Sequence, residues 1–319
     1  MFRSAGLGGL LLLLCFAGPA NAIVITGLGS YTGTPTAGGP DLTGVVELII
    51  NGDIGCSGTL LSDGYSILTA AHCITSSFGS ALPTSTVVKF LGASVAVTDT
   101  VAAYFVDPSW TGTGSQGGDL AVLRLTNQAP SDATGYSLYT GAMPTSADVV
   151  AGYGLGGTGM TGGTTSFGTL LVGANEYVET GSAFETGWSS GLYVGEFYDP
   201  NLPSTNALGL VVDPTPYSAA DEVDIAHGDS GGPSFYDGQL VGVHDLGICY
   251  GSTSCNMPPS VSSSNNSYFG ELYADTSVAA NATWIEGQEV PEPASAGLFG
   301  LGLAALAAFR FRSPSRKSR

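Results

Sequence analysis

Short apolar runs, each ended by glycine, serine, threonine, asparagine or proline, recur along most of this chain and restrict what it can fold into. Runs of this length between turn-forming residues are typical of β-strands and too short for stable helices. Clear examples occupy residues 45–50, 86–91, 121–125 and 239–243. The best 3.6-residue period covers residues 277–286. The pattern therefore predicts an all-β protein, a sandwich or a barrel, that closes with one helix.

Composition and charge exclude several classes of protein. The 48 glycines follow no three-residue period, which excludes collagen, and the low charged fraction of 11% argues against a coiled coil. Between residues 23 and 290 only Lys89 and Arg124 oppose 25 acidic residues. Such an acidic body repels phosphate backbones, so we expect no nucleic-acid partner.

The first 22 residues have the parts of a secretory signal peptide. Arg3 precedes an apolar run at residues 7–17 that is too short to span a membrane, and Ala20-Asn21-Ala22 offers small residues for cleavage. A membrane anchor is the alternative, but Gly18-Pro19 interrupts its apolar core. We therefore expect signal peptidase to remove residues 1–22, and Cys15 with them.

The C-terminal segment, residues 289–319, has the composition of a second targeting segment. Pro291-Glu292-Pro293 precedes an apolar stretch at residues 294–309, which is at the short limit of a spanning helix, and a basic cluster follows. This order resembles the bacterial PEP-CTERM sorting signal. The resemblance implies recognition by an exosortase-type transpeptidase, removal of the helix and delivery to the cell surface or extracellular matrix. A simple C-terminal membrane anchor is the alternative, and either reading places the body outside the cytoplasm.

Four cysteines remain after signal removal, an even number that suggests two disulfides in an exported chain. Three connectivities are possible, and sequence spacing favours Cys56–Cys73 and Cys249–Cys255. The three histidines are too few and too scattered for a metal site. We expect neither a metal nor a cofactor.

Three short segments carry the residue types that peptide hydrolysis needs: a nucleophile, a base, a carboxylate to orient the base, and donors for the oxyanion. Ser230 lies in His227-Gly228-Asp229-Ser230-Gly231-Gly232-Pro233, where glycines on both sides permit a tight turn. His72 lies in Leu68-Thr69-Ala70-Ala71-His72-Cys73, after an apolar strand. Asp119 lies in Gly117-Gly118-Asp119-Leu120-Ala121, at the mouth of another.

In the order His, Asp, Ser, these segments resemble the motifs of the trypsin-like (chymotrypsin-fold, S1-type) serine proteases. The intervals of 47 and 111 residues leave room for the two barrels of that family. The resemblance implies two six-stranded antiparallel β-barrels, at about 23–130 and 145–275, with a C-terminal helix, in a protease domain covering residues 23–288. Signal and anchor helices would lie at the two ends. Further matches lie at residues 56–61, 151–154, 240–243 and 284–285.

The resemblance also implies a role for each residue. His72 would accept the proton of the Ser230 hydroxyl, and Asp119 would orient the imidazole. The backbone N–H groups of Gly228 and Ser230 would form the oxyanion hole. The family's disulfide beside the catalytic histidine maps onto Cys56–Cys73.

Departures from the family concern the substrate. Asp224 occupies the position at the base of the family's specificity pocket, where an acidic residue favours arginine or lysine; it could equally be a solvated loop carboxylate. Ala226 replaces a family cysteine, which leaves Cys249 to pair locally. Asp245-Leu246-Gly247 stands where the family strand that binds substrate backbone reads Ser-Trp-Gly, so Asp245 and Gly247 are candidate substrate-binding residues. Residues 161–220 align with nothing in the family pattern.

Signal cleavage after Ala22 would expose Ile23-Val24 as a new N-terminus. Family members insert such an end beside the aspartate that precedes the nucleophile, here Asp229, and the ion pair shapes the oxyanion hole. This predicts an enzyme that emerges active without a further activation step.

Two functions are therefore expected from the sequence. The first is a secreted or surface-held serine endopeptidase that uses His72, Asp119 and Ser230 on peptide or protein substrates, with arginine or lysine preferred at the cleavage site. The second is a non-catalytic matrix or adhesion module on the same scaffold. An esterase is a third, weaker reading, because acyl transfer to serine uses the same groups.

Overall fold

The structure, a computed structural model, describes most of the chain between Ile23 and Val290. The described residues are 23–25, 40–75, 81–92, 96–146, 148–164, 167–199, 201, 206, 208, 222–249 and 267–290. The predicted signal peptide, Cys255 and the apolar stretch at 294–309 lie outside the described residues. Of the helices that the structure describes, none has the length and apolar character needed to cross a membrane.

The first half of the chain forms a closed six-stranded barrel in the order β2-β3-β4-β7-β6-β5. Its interior is built by alternation: in β5, Thr86, Val88 and Phe90 are buried while the residues between them are partly exposed. The barrel strands are β2 (Val45–Ile50), β3 (Asp53–Leu60), β4 (Ser66–Thr69), β5 (Thr86–Phe90), β6 (Val97–Val106) and β7 (Ala121–Leu125); the N-terminal β1 is Ile23–Ile25, and a one-turn helix α1 (Ala71–Ile74) follows β4.

The second half forms a seven-stranded sheet in the order β11-β8-β15-β16-β17-β13-β12 and a four-stranded sheet in the order β10-β9-β1-β14. Its elements are β8 (Asp148–Gly152), β9 (Gly156–Thr158), β10 (Gly162–Gly163), β11 (Leu171–Asn175), β12 (Tyr177–Thr180), α2 (Gly181–Phe184), β13 (Leu192–Phe197), β14 (Val223–Asp224), β15 (Pro233–Tyr236), β16 (Gln239–Cys249), β17 (Glu271–Ser277) and α3 (Val278–Glu286).

The predicted fold class is confirmed: the protein is mostly β, with one closed barrel, a half-barrel and a C-terminal helix. The second half differs in detail from the expected closed six-stranded barrel, because its larger sheet has seven strands and stays open. β1, which the sequence analysis placed with the first barrel, pairs with β9 and β14 of the second half. Ile23 and Val24 are fully buried there, in an apolar core that holds β1 away from the first barrel.

The C-terminal helix α3 begins where the sequence period predicts. The Ser277 hydroxyl caps it by accepting a hydrogen bond from the N–H of Ala280 at 3.3 Å. Val278 and Ile285 face an apolar core that both halves share, which also contains Val122 of the barrel and Phe235 of the large sheet. The two halves therefore pack through a common core, and the groove between them is held in shape.

After α3 the chain returns to the first barrel and is fastened there. The N–H of Val290 donates to the Asp63 carboxylate at 2.7 Å, and the Ser62 hydroxyl donates to Glu289 at 3.1 Å. Arg124 donates to the carbonyl of Gln288. We call residues 288–290 and these contacts the C-terminal clasp.

Candidate active site

A cavity of about 560 Å³ opens between the two halves. His72, Asp119 and Ser230, which the sequence analysis singled out from three distant motifs, all line it. His72 comes from α1, Asp119 from the residue pair before β7, and Ser230 from the turn before β15. The fold therefore brings the three predicted residues into one cleft.

His72 and Asp119 are joined by two hydrogen bonds. His72 Nδ1 lies 2.5 Å from Asp119 Oδ2, and the His72 backbone N–H donates to Asp119 Oδ1 at 2.7 Å. Asp119 is fully buried, whereas the His72 side chain is partly exposed to the cavity. A carboxylate that accepts from Nδ1 fixes the imidazole tautomer and leaves Nε2 available as a base.

Ser230 lies in a tight turn whose backbone suits an anion. Gly228 and Gly231 have φ of +98° and +79°, in the left-handed region that favours glycine. Gly231 N–H donates to the carbonyl of His244 at 2.8 Å. Within the described parts of the chain, the N–H groups of Gly228 and Ser230 donate to no other backbone group, so both are available as hydrogen-bond donors.

Ser57 on β3, which the sequence analysis quoted only as part of a motif, ties this turn to the first barrel. Its hydroxyl donates to the carbonyl of Gly228 at 3.0 Å and accepts from the N–H of Tyr153 at 2.9 Å. Its own N–H donates to the carbonyl of Ser230 at 2.8 Å. Cys56, the preceding residue, forms a disulfide with Cys73 beside His72. β3 thus holds both the nucleophile turn and the base. Cys249 is also disulfide-bonded.

Asp229 is a fully buried carboxylate behind the nucleophile. It accepts hydrogen bonds from the N–H groups of Gly154 and Ala226, both at 2.8 Å. Burial raises the pKa of Asp229 to about 6, against the lowering effect of those hydrogen bonds and of His244. β1 runs nearby, with Ile23 paired to Gly156.

His244, which the sequence analysis did not single out, belongs to a buried polar cluster. Its Nδ1 lies 2.9 Å from Asp275 Oδ1, and Asp275 Oδ2 accepts from the hydroxyls of Tyr177 and Ser234, each at 2.6 Å. Although burial lowers the pKa of His244, the charge and hydrogen bond of Asp275 raise it overall. The only sequence signal that could have indicated His244 is its position in an apolar strand that follows Ser230.

The predicted substrate-binding residues take three different positions. Gly247 lines the cavity. Asp224 is buried in β14 and is not among the lining residues; burial and the charge of Glu271 raise its pKa well above the usual range. Glu271, at the start of β17, lines the cavity instead. It was missed because its position depends on the pairing of β16 with β17.

Asp245 does line the cavity, but its carboxyl is buried and directed to Asp119 rather than outward. Thr276 donates to Asp245 Oδ2 at 3.0 Å. One donor atom each from His72, Asp119 and Asp245 lie within 4.8 Å of one another. Since these atoms are already engaged with one another, we interpret them as a hydrogen-bonded chain rather than a metal centre. Cys56 and Cys73 lie equally close to His72, but their sulfurs form the disulfide.

A family model described as Trypsin matches residues 41–268, and one described as the PEP-CTERM protein-sorting motif matches residues 289–313. Among solved structures, the chain is similar to neuropsin, described as a serine protease expressed in the limbic system of mouse brain. The match has a TM-score of 0.54 and 18% identity, and covers 77% of this chain and 93% of that one. No curated protein matches the chain in sequence. The chain therefore belongs to the trypsin family of serine proteases and carries a PEP-CTERM protein-sorting motif.

Proposed function

We propose that the protein is a serine endopeptidase that cleaves peptide bonds with His72, Asp119 and Ser230. The observation that carries the proposal is the 2.5 Å contact between His72 Nδ1 and Asp119 Oδ2, in a cavity that Ser230 also lines. His72 Nε2 accepts the Ser230 proton as the hydroxyl oxygen attacks the scissile carbonyl, and later gives that proton to the leaving amine. Water then releases the acyl group from Ser230 by the same steps.

The oxyanion formed in both halves of the reaction needs donors that are not already used. The N–H groups of Gly228 and Ser230 serve here, and losing one such donor typically costs about 2.7–4 kcal/mol of barrier. Ser57 supports the turn that presents them, through its hydrogen bond to the Gly228 carbonyl.

Labelling with a fluorophosphonate probe tests the function directly. We expect the secreted protein to be labelled, Ser230→Ala to lose all labelling, and Ser62→Ala, at an exposed serine, to keep it. A folded, processed protein without Ser230-dependent labelling would instead be the non-catalytic matrix or adhesion module. Peptide cleavage by the labelled protein distinguishes an endopeptidase from an esterase.

For the substrate we propose a preference for arginine or lysine at the cleavage site. Glu271 lines the cavity, and its charge is one of the causes that raise the pKa of the buried Asp224; a cation bound in this region would favour the ionised form of both carboxyl groups. Profiling on a peptide library checks the preference. Glu271→Gln and Asp224→Asn should each weaken it, and indifference of the unmodified enzyme to basic side chains contradicts it.

For activation we propose that removal of residues 1–22 frees the Ile23 ammonium to pair with Asp229. β1 lies in the second half, where it pairs with β9. Gly154, two residues before β9, donates its N–H to the Asp229 carboxylate. A nearby ammonium would favour the charged form of a carboxyl whose pKa burial has raised. N-terminal sequencing of the secreted protein tests this, and a mature start other than Ile23 ends it.

For export we propose a protease domain at residues 23–288 that signal peptidase releases and an exosortase-type enzyme sorts through residues 289–319. The match to the sorting motif supports surface delivery. Mass spectrometry of the surface-held protein shows whether the apolar stretch is removed or retained as an anchor.

A further inference from the structure

Asp245 occupies a bulge in β16, directly beside the candidate triad. The pairing of β16 with β17 shifts register between His244 and Leu246, so Asp245 is the extra residue. A bulge redirects the side chain at that point of a strand. The Asp245 carboxyl thereby lies well inside the protein, with an oxygen within 4.8 Å of one atom each of His72 and Asp119, close enough for a side-chain hydrogen bond to Asp119.

A hydrogen bond between two carboxyl groups needs one proton, and the contacts decide where it is held. Both oxygens of Asp119 already receive donors from His72, its backbone N–H and its Nδ1. Asp119 is therefore the acceptor, and Asp245 is the group that has a proton to give. Thr276 donates to Oδ2 of Asp245. Gly114 closes over Oδ1, since a Cβ on Gly114 would lie 2.4 Å from that atom.

The charged groups around Asp245 also favour its neutral form. The charges of Asp119 and Asp275 both raise the pKa of Asp245, whereas the imidazoles of His72 and His244 are hydrogen-bonded to those two carboxyls. Two ionised carboxylates cannot share a buried hydrogen bond. Burial, together with Asp119, raises the pKa of Asp245 well above its usual range.

We infer that Asp245 is a positioning residue of the triad: it stays protonated and donates a hydrogen bond to Asp119, fixing the carboxylate that orients His72. This inference rests on the proposed function. It replaces the expectation that Asp245 binds substrate. Asp245 acts through Asp119, so it orders the triad without touching the reacting atoms. When Asp245 loses its proton at high pH, the donor becomes a second negative charge and the alignment of Asp119 is lost.

Two variants separate the donor from the titratable proton. Asp245→Asn has the same shape, keeps an N–H donor toward Asp119 and cannot ionise. Asp245→Ala removes the donor. We expect Asp245→Asn to be labelled by the fluorophosphonate probe at a neutral-pH rate close to that of the wild type, and to keep labelling at alkaline pH where the wild type declines. Asp245→Ala should be labelled about 10- to 100-fold more slowly than the wild type at neutral pH, the range expected for a lost hydrogen bond to a charged group, and it should not share the alkaline decline because it has no proton to lose.

An infrared measurement tests the proton without depending on activity. A protonated carboxyl absorbs apart from a carboxylate, so the neutral-pH difference spectrum of wild type minus Asp245→Asn should show a protonated-carboxyl band. Asp224→Asn is the matched control and should remove a different band, because it is buried elsewhere. The inference is wrong if the Asp245 difference spectrum shows a carboxylate, or if Asp245→Asn keeps the alkaline decline. A protein that labels in no variant would contradict the proposed function, and the infrared band would still decide the state of Asp245.

Discussion

Truncating Ser57 should destabilise the protein more than any other single hydroxyl on β3. Ser57 is fully buried, and its hydroxyl serves Gly228 at 3.0 Å and Tyr153 at 2.9 Å. In Ser57→Ala a buried carbonyl and a buried N–H lose their partner together. An unsatisfied buried group costs about 1–3 kcal/mol, so the two together should lower the free energy of unfolding by about 2–6 kcal/mol.

Thr59, two residues along the same strand, supplies the matched control. Its hydroxyl is also buried, but has no hydrogen-bond partner among the described residues. Thr59→Val removes an oxygen that satisfies nothing, so the free energy of unfolding should stay unchanged or rise slightly. Both variants remove one buried hydroxyl from β3, but only Ser57→Ala leaves the hydrogen-bond partners of that hydroxyl unsatisfied.

The assay is denaturant unfolding followed by tryptophan fluorescence, in a Ser230→Ala background that prevents self-cleavage. Probe labelling with Ser230 restored then reports on the turn itself, and Ser57→Ala should be slower because the Gly228 peptide is no longer held. Equal losses of stability in Ser57→Ala and Thr59→Val would refute the reasoning, since the loss would then follow from the deleted oxygen alone.

Three further predictions concern stability. Burial raises the pKa of Glu222 from 4.5 to about 8. Its proton in the native state therefore stabilises the fold fully below pH 4.5, and this contribution is lost as the pH rises through 8. In Glu222→Gln the free energy of unfolding, measured by denaturant titration, should fall by about 4 kcal/mol less between pH 4 and pH 8 than in the wild type. Gly231→Ala should cost about 1–3 kcal/mol more than Gly238→Ala in thermal unfolding, because both have positive φ but only a Cβ on Gly231 meets Thr69, at 2.1 Å; equal costs would contradict this. Replacing both residues of the Cys56–Cys73 disulfide with serine should cost about 3 kcal/mol, from a sequence separation of 17, and an unchanged unfolding midpoint would exclude a stabilising role.

Sequence reasoning predicted the candidate catalytic residues that belong to recognisable short motifs. His72, Asp119 and Ser230 each sit at a strand end or a glycine-rich turn, and such local geometry depends on nearby residue types. Helix α3 was predicted for the same reason, from the 3.6-residue period of residues 277–286. These features need no knowledge of what packs against them.

The rest depends on pairing between distant strands. The Asp245 carboxyl reaches Asp119 only because β16 bulges against β17, and a period of two in the sequence does not show a bulge. Glu271 enters the cavity through the same register, whereas Asp224 is buried by β1. β1 pairs with β9 and β14 of the second half although it precedes the first barrel in the chain, and its three apolar residues alone would suit either half of the molecule.

The C-terminal clasp is the part of the domain that a pull applied beyond Val290 would reach first. A tether attached beyond Val290 pulls first on the bonds to Ser62, Asp63 and Arg124, and reaches α3 only after they open. The bond between Ser62 and Glu289 is exposed to solvent, so its net contribution to stability is small. We therefore expect tension to detach residues 288–290 from the Ser62–Asp63 turn and from Arg124 on β7 before it disturbs the core that the two halves share.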